Sequence, residues 1–391
     1  MDISHKKILI TGGTGHLGSA LIHYLVRERN VAPQNIRVFY LKNSPVDSLR
    51  DIEGLDFFAG NVLNAGEIEA ACEDVHLVFH MIGLTTFDTR QKRLQWLVNV
   101  EGTRNTLEAV RKSKTIERLC YTSTVNSLAA PASTGSIGNF ENSDPYLNQP
   151  PIHSFHSKEE TLAFIQHVYE NKNRTWEKQI GIGYFDSKLA AQELVNDYAH
   201  HHGLNVVSVL PGTMFGPYDY LVGTGMYLLS LYKNKMPVVL NGGLPLAHVM
   251  DVAEGHVLAM EKAMAGSSYI ISGPEEDNRS FKNMCGIITE VLQQKFPAKR
   301  FRAPQIIVSK TAALAAAFVS EKYATLFNQP TLLSRDAVNA GAHFLFYTSK
   351  NATQDLGYQP QRTFRQAIEE MIDYYIKENL MENEARYVDR R

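Results

Sequence analysis

The stretch KKILITGGTGHLGSALIHYLVRE (residues 6–28) runs an apolar segment straight into a glycine-rich turn, then into a segment with helical periodicity. That order, strand to glycine turn to amphipathic helix, is the opening of a βαβ unit. Within it, TGGTGHLG (residues 11–18) puts glycines where a backbone must turn tightly and approach a pyrophosphate. The helix it opens offers unpaired N–H groups and a positive dipole end to an anion. A glycine-rich turn in an unrelated α/β protein is the competing reading, and the position directly between strand and helix speaks against it.

The pattern then repeats. NIRVFYL (35–41) reads as a strand, GEIEAACED (66–74) as a helix and VHLVFHMIG (75–83) as a strand. LVNVEGTRNTLEAVRKS (97–113) reads as a helix, RLCYTSTV (118–125) as a strand, YFDSKLAAQELVNDYAHHHG (184–203) as a helix and NVVSVLPG (205–212) as a strand. Strands alternating with helices of this length predict a doubly wound α/β fold, a parallel sheet with both faces covered. Beyond Pro211 aromatic residues and glycines crowd together, and short pieces mix as far as the helix TFRQAIEEMIDYYIKE (363–378). Residues 1–210 are therefore expected to form a dinucleotide-binding domain. Residues 211–391 are expected to form a smaller mixed α/β substrate-binding region across the sheet's carboxyl edge, with the final helices packing back. A long insertion (about 131–180) interrupts the alternation before Tyr184 and contains a charged helical stretch, SKEETLAFIQHVYENKN (157–173). Loops of this length inside a compact domain are usually functional or mobile.

Composition removes several classes. A formal net charge of −2 argues against nucleic-acid binding. Cys72, Cys120 and Cys285 form no CxxC pair, so no metal site or disulfide framework is expected. With no apolar leader before the first strand, a cytoplasmic location is expected. The most apolar stretch, IIVSKTAALAAAFV (306–319), is too short to span a bilayer and carries Lys310. It reads as a buried packing helix, with peripheral membrane contact as the alternative.

Two further signals bear on chemistry. The end of the second strand, RVFYLKNS (37–44), supplies Lys42, Asn43 and Ser44 and no carboxylate. An acidic residue there would hold a ribose 2′-hydroxyl, whereas a cation with small polar neighbours suits a 2′-phosphate, so NADP(H) is favoured over NAD(H). A merely solvated Lys42 is the bland alternative. In GYFDSKLAAQELV (183–195), Tyr184 and Lys188 stand at i and i+4, on one face of a helix. A phenol near pKa 10 becomes a competent acid/base at neutral pH only if a nearby cation stabilises its anion. Thr124, at the end of a strand, can hold the oxygen that gains or loses the proton.

Taken in order, TGGTGHLG, GNVLN (60–64), VFHMIG (78–83), NVEGTRN (99–105), YTSTV (121–125), YFDSK (184–188) and PGTMFGP (211–217) resemble the extended short-chain dehydrogenase/reductases. HVMDVAEGHVLAM (248–260) and YTSKNATQDLGYQP (347–360) carry the resemblance to the C-terminal part. This superfamily also contains NAD-dependent epimerases and dehydratases, and the resemblance implies a Rossmann fold. It assigns Tyr184 as acid/base, Lys188 as the group that holds the nicotinamide ribose and lowers the tyrosine's pKa, and Thr124 as the catalytic hydroxyl, supported by Ser123. It places Gly12, Thr14, Gly15, His16 and Leu17 along the pyrophosphate, Lys42 near the adenosine ribose, and Asn61 and Val62 at adenine. Met81, Ile82 and Gly83 go to the nicotinamide-side ribose, Asn99 to a bracing position, and Pro211 and Thr213 beside the nicotinamide. Asn61 stands where the family usually has aspartate, and Leu210 where an arginine commonly precedes the proline.

The Asp-Glu pair that follows the catalytic threonine of sugar 4,6-dehydratases is replaced here by Val125-Asn126. The region looks instead like the dihydroflavonol 4-reductase and 3β-hydroxysteroid dehydrogenase branch. The expected activity is hydride transfer between a nicotinamide and a hydrophobic ketone or secondary alcohol, steroid-, flavonoid- or acyl-like. Met214, Phe215, Tyr218, Tyr220, Met226 and Tyr227 suggest an apolar pocket as a group, although each singly reads as core. A nucleotide-sugar epimerase with tightly bound NAD is the alternative, and a non-catalytic cofactor-sensing protein a second. The run His200, His201 and His202 reads as a solvated helix end. The family resemblance also implies a homodimer.

Overall fold

The computed structural model describes residues 1–128 and 182–382, apart from 328, 330 and 332. The insertion at about 131–180, with its expected helix, lies outside the described residues.

Seven parallel strands form the central sheet. They are β1 (Ile8–Thr11), β2 (Ile36–Tyr40), β3 (Asp56–Ala59), β4 (Leu77–His80), β5 (Arg118–Thr122), β6 (Val206–Pro211) and β10 (Ser268–Ile271). Their spatial order is β10-β6-β5-β4-β1-β2-β3. Side chains alternate between faces along each strand. Ile8 and Ile10 join one apolar cluster with α1 (His16–Arg27), while Leu9 joins another on the opposite face. Phe79 and Val78 divide in the same way. The doubly wound α/β reading therefore holds. The chain reverses direction across the sheet between β1 and β4, the neighbours whose carboxyl ends open the crevice where such folds bind ligands.

On one face lie α2 (Ala65–Ala71), the continuous helix α3 (Lys92–Trp96) to α4 (Gly102–Lys112), and α5 (Gly183–His200). A five-residue π turn, Leu97–Glu101, joins α3 to α4, which the sequence reads as unbroken helix. Such turns are often found at functional sites, and this one carries Asn99. The strand β3 has no clear signal in the sequence. It is a four-residue edge strand, half-buried on one side and exposed on the other, so it lacks the apolar run that marks the buried strands.

The chain does not leave this layer for good at Pro211, because α7 (Val249–Lys262) packs on α1 and β10 joins the sheet. The remainder builds a three-stranded sheet from β7 (Thr213–Phe215), β9 (Gly243–His248) and β11 (Asn278–Ser280), and a two-stranded one from β8 (Val238–Leu240) and β12 (Ile306–Val308). A second core lies between α6 (Met226–Tyr232), α8 (Phe281–Lys295) and α12 (Phe364–Lys377). Phe215, Tyr220 and Leu228 belong to that core. Tyr218 stacks on His23, with ring centroids 3.9 Å apart. Most of the expected aromatic pocket is thus packing.

The stretch at 306–319 also differs from its expectation. It divides into β12 and α9 (Lys310–Leu326), and only Ala313, Ala317 and Ala324 of α9 are buried. A short helix, α10 (Arg335–Gly341), packs beside it, and α11 (Lys350–Leu356) packs on α7 and β10.

Candidate active site

The glycine turn closes against the end of β4. Gly12 takes φ +72°, a conformation that a side chain would strain, and a Cβ there would lie 3.2 Å from the Ile82 nitrogen. A Cβ on Gly18 would stand 2.3 Å from the Gly12 carbonyl oxygen, so only glycine lets α1 start this close to the turn. No side chain caps α1 at Gly15. Its first amides are therefore left to meet an anion, and the cradle fits a dinucleotide pyrophosphate. The side chains of two expected contacts are committed elsewhere. Leu17 sits in the core, and His16 Nε2 lies 3.1 Å from the Pro217 carbonyl, with burial holding its pKa below the usual value. Only their backbones remain for the phosphate turn. Thr14 is buried beside them.

Tyr184 and Lys188 open α5, both buried. The Tyr184 hydroxyl hydrogen-bonds with the side chains of Thr124 and Thr85. Burial pushes its pKa up and those two hydroxyls pull it down. Lys188 Nζ donates to the Thr122 carbonyl over 3.0 Å and lies 5.2 Å from the centre of the Tyr121 ring. Burial lowers the Lys188 pKa to about 8. Burial is the largest influence on both groups. A Cβ on Gly83 would sit 3.0 Å from Nζ, so the bare glycine leaves the ammonium open toward the crevice. An ammonium has three donors, and two remain beyond the Thr122 bond.

Asn99 is a brace. Its Oδ1 accepts from the Leu84 amide at 2.7 Å, and its Nδ2 donates to Ser187 Oγ at 2.9 Å. Ser187 in turn donates to the Tyr184 carbonyl at 3.0 Å. From the other side, the Met81 amide donates to Thr11 Oγ1, which stands 2.8 Å from His80 Nδ1. His80 Nε2 is 3.1 Å from Thr103 Oγ1, which donates to the Asn99 carbonyl. Donor and acceptor roles run consistently if His80 carries its proton on Nε2. One hydrogen-bonded chain then links the ends of β1 and β4 to α5.

Buried His80 has its pKa lowered to about 3, and His256, which faces the Thr122 hydroxyl at 3.0 Å, to about 4. Both folded values lie below the free value of 6.5, so the unfolded chain binds more protons as pH falls from 6.5 toward 4, and stability is lost in that window. Urea unfolding at pH 5 should show a loss of about 2 kcal/mol from each histidine relative to neutral pH. His256→Asn should remove its share of that slope.

Other expected positions divide. Met81, Ile82, Gly83 and Asn99 meet at the crevice. Val62 is buried against Gly102, where α4 begins, and Asn105 donates to its carbonyl at 2.9 Å. Asn61 is exposed, and its Oδ1 accepts from Leu63 within its own turn. Lys42 is exposed in the turn that Ser44 closes on Leu41. Pro211 ends β6 and Thr213 opens β7, at the seam between the two larger sheets.

Sequence reading missed Thr85, Ser187, His80 and Asp336. Asp336 Oδ2 accepts from the Gly183 amide at 3.0 Å and pairs with Lys92 at 2.9 Å, tying the start of α5 to α3 and α10. Only His80 carried a usable signal, as the polar residue ending the apolar strand LVFH. His201 Nδ1 lies 2.9 Å from Asp197 at the end of α5, and among the described residues no cluster of metal-ligating side chains gathers.

Residues 9–167 match the 3-beta hydroxysteroid dehydrogenase/isomerase family, and residues 170–272 the NAD dependent epimerase/dehydratase family. A putative dihydroflavonol 4-reductase of Synechocystis sp. is 27% identical over 387 residues, covering 96% of this chain and 97% of the relative. Anthocyanidin reductase of Arabidopsis thaliana is 24% identical, covering 68% of this chain and 75% of the relative. Among solved structures, a dTDP-glucose 4,6-dehydratase of Streptomyces venezuelae with NAD bound superposes with TM-score 0.66 at 17% identity, covering 97% of this chain and 99% of that one. That likeness bears on the fold.

Proposed function

The chain belongs to the extended short-chain dehydrogenase/reductases, NAD(P)-dependent enzymes acting on CH–OH groups, and from that premise we propose that it is an NADP(H)-linked reductase of a hydrophobic ketone. The observation that carries the proposal is Tyr184, its hydroxyl tied to Thr85 and Thr124, with Lys188 one helical turn on and bonded to the Thr122 carbonyl. The apolar surroundings of that hydroxyl support a hydrophobic substrate. Phe87 meets Tyr184 edge-on at 6.2 Å, and Val125, Leu128, Phe185 and Leu189 belong to the same cluster.

When bound, a reduced nicotinamide supplies the hydride to the carbonyl carbon. Thr124 Oγ1 positions the carbonyl oxygen, and the Tyr184 phenol donates its proton there. Burial keeps that phenol protonated, the state an acid needs for reduction. Lys188 would stabilise the phenolate left behind and offers its free N–H donors to the cofactor ribose. Gly12, Thr14, Gly15 and the backbones of His16 and Leu17 would hold the pyrophosphate. Val62 and Asn61 would flank adenine. Met81, Ile82 and Gly83, with Asn99 behind them, would form the wall at the nicotinamide, closed by Pro211 and Thr213. Residues 1–210 would chiefly bind the cofactor, and the two small sheets and helices beyond Pro211 the substrate. A homodimer is proposed as the assembly, to be read from the mass in solution.

Lys42 supports the cofactor preference because no carboxylate accompanies it at the end of β2. Lys42→Asp should weaken NADPH binding about tenfold, a loss of roughly 1.4 kcal/mol, and leave NADH binding unchanged or improved. Equal loss for both cofactors would remove Lys42 from the 2′-phosphate site. The substrate class is tested by thermal shift. A rise in melting temperature with steroid, flavonoid or acyl ketones should require NADPH, and a response confined to sugar nucleotides would overturn the proposal.

A further inference from the structure

The helix α9 is amphipathic the wrong way round for a protein surface. A surface helix ordinarily turns its bulky apolar side chains inward. Here Ala313, Ala317 and Ala324 face the protein, the first two in a small cluster with Val338. The opposite side carries Phe318, Val319, Tyr323 and Leu326, exposed at 49%, 67%, 57% and 77%. Ile306 and Ile307 of β12 and Phe327 at the helix end add to the exposed apolar surface, and Tyr323 and Phe327 pack ring to ring at 4.6 Å. Monomeric proteins rarely leave such an apolar surface to water.

Charge identifies what covers it. From Ile306 to Phe327 the sequence holds the cations Lys310 and Lys322 against the single carboxylate Glu321, in a chain whose net charge is −2. Lys322 lies in the middle of the apolar face, its Nζ 5.6 Å from the Phe318 ring centre, and Arg335 reaches the same ring at 5.9 Å while pairing with Glu321. Aromatic and aliphatic side chains interleaved with Lys322 and flanked by Arg335 suit the boundary between anionic headgroups and acyl chains. A second copy of the chain suits it less. A two-fold interface through this face would bring Lys322 toward its own mate, like charge against like.

We propose that α9 and β12 form a docking surface for an anionic phospholipid bilayer, on which the protein lies without crossing. Among the described residues no helix is long and apolar enough to cross a membrane. The surface is one element away from the chemistry, since α9 packs on α10 and Asp336 of α10 holds the Gly183 amide beside Tyr184. Docking would thus bring the catalytic helix close to a lipid-dissolved ligand. The inference stands apart from the substrate proposal, because membrane binding is read without turnover.

The test is sedimentation of the full chain with phosphatidylcholine vesicles, with and without phosphatidylserine. The wild type should pellet with the anionic vesicles and be released by salt. The variant F318S/V319S/L326S should lose about tenfold or more of its partition, and so should K310E/K322E. Unchanged circular dichroism and thermal midpoint would show that the variants fold. Wild type remaining in the supernatant overturns the proposal, as does a serine variant that binds like wild type. A dimer in solution that the serine variant abolishes, without vesicle binding, also overturns it and gives the face to a second copy.

Discussion

Tyr184→Phe should lower the rate of ketone reduction about a thousandfold while leaving NADPH affinity and melting temperature close to those of the parent. The substitution removes one oxygen and keeps the ring. The ring's edge contacts with Phe87 and Phe185, at 6.2 and 6.0 Å between centroids, have no need of the hydroxyl. The Thr85 and Thr124 hydroxyls lose a partner, and water can replace it at Thr85, which is exposed. No part of the phosphate turn touches the phenol. Single-turnover rates and calorimetric cofactor binding separate the two effects. A folded variant as fast as the parent would end the acid/base assignment.

Gly18→Ala should produce the opposite signature. Its methyl group would stand 2.3 Å from the Gly12 carbonyl oxygen and 2.7 Å from the Gly13 Cα, both backbone, so the start of α1 must shift away from the turn. That displacement carries off the amides presented to the pyrophosphate. Affinity for NADPH should fall about tenfold or more, and overpacking should cost about 1–3 kcal/mol in urea unfolding. Gly286→Ala is the internal control, because nothing lies within 4 Å of the added methyl and the site is helical. It should be neutral or stabilising by up to about 1 kcal/mol, with cofactor binding unchanged.

How much of this was legible in the sequence depended on whether a residue's role is local. The turn from Thr11 to Gly18 and the pair Tyr184 and Lys188 act within one strand-to-helix unit or one helical turn, so their spacing exposed them. Buried strands such as β1 and β4 were readable because both faces are covered, whereas β3 at the edge was not. Asn99 was found by resemblance, but its π turn was not, because nothing in LVNVE breaks helical periodicity. Thr85, Ser187 and Asp336 act across 99, 88 and 153 residues of sequence respectively, counting to Tyr184, Asn99 and Gly183, and no local pattern marks such partners. The aromatic run after Pro211 misled because composition cannot separate a pocket from a core. The apolar run at 306–319 misled because hydrophobicity does not say which side of a helix faces the protein.

Transfer of label tests the central claim most directly. NADPH carrying deuterium at the nicotinamide's reactive carbon is mixed with the protein and a hydrophobic ketone, and the alcohol is weighed by mass spectrometry. A single deuterium on the carbinol carbon, lost in Tyr184→Phe, is the expected result. No labelled alcohol from any ketone, with sugar nucleotides epimerised and the added cofactor unconsumed, would contradict it.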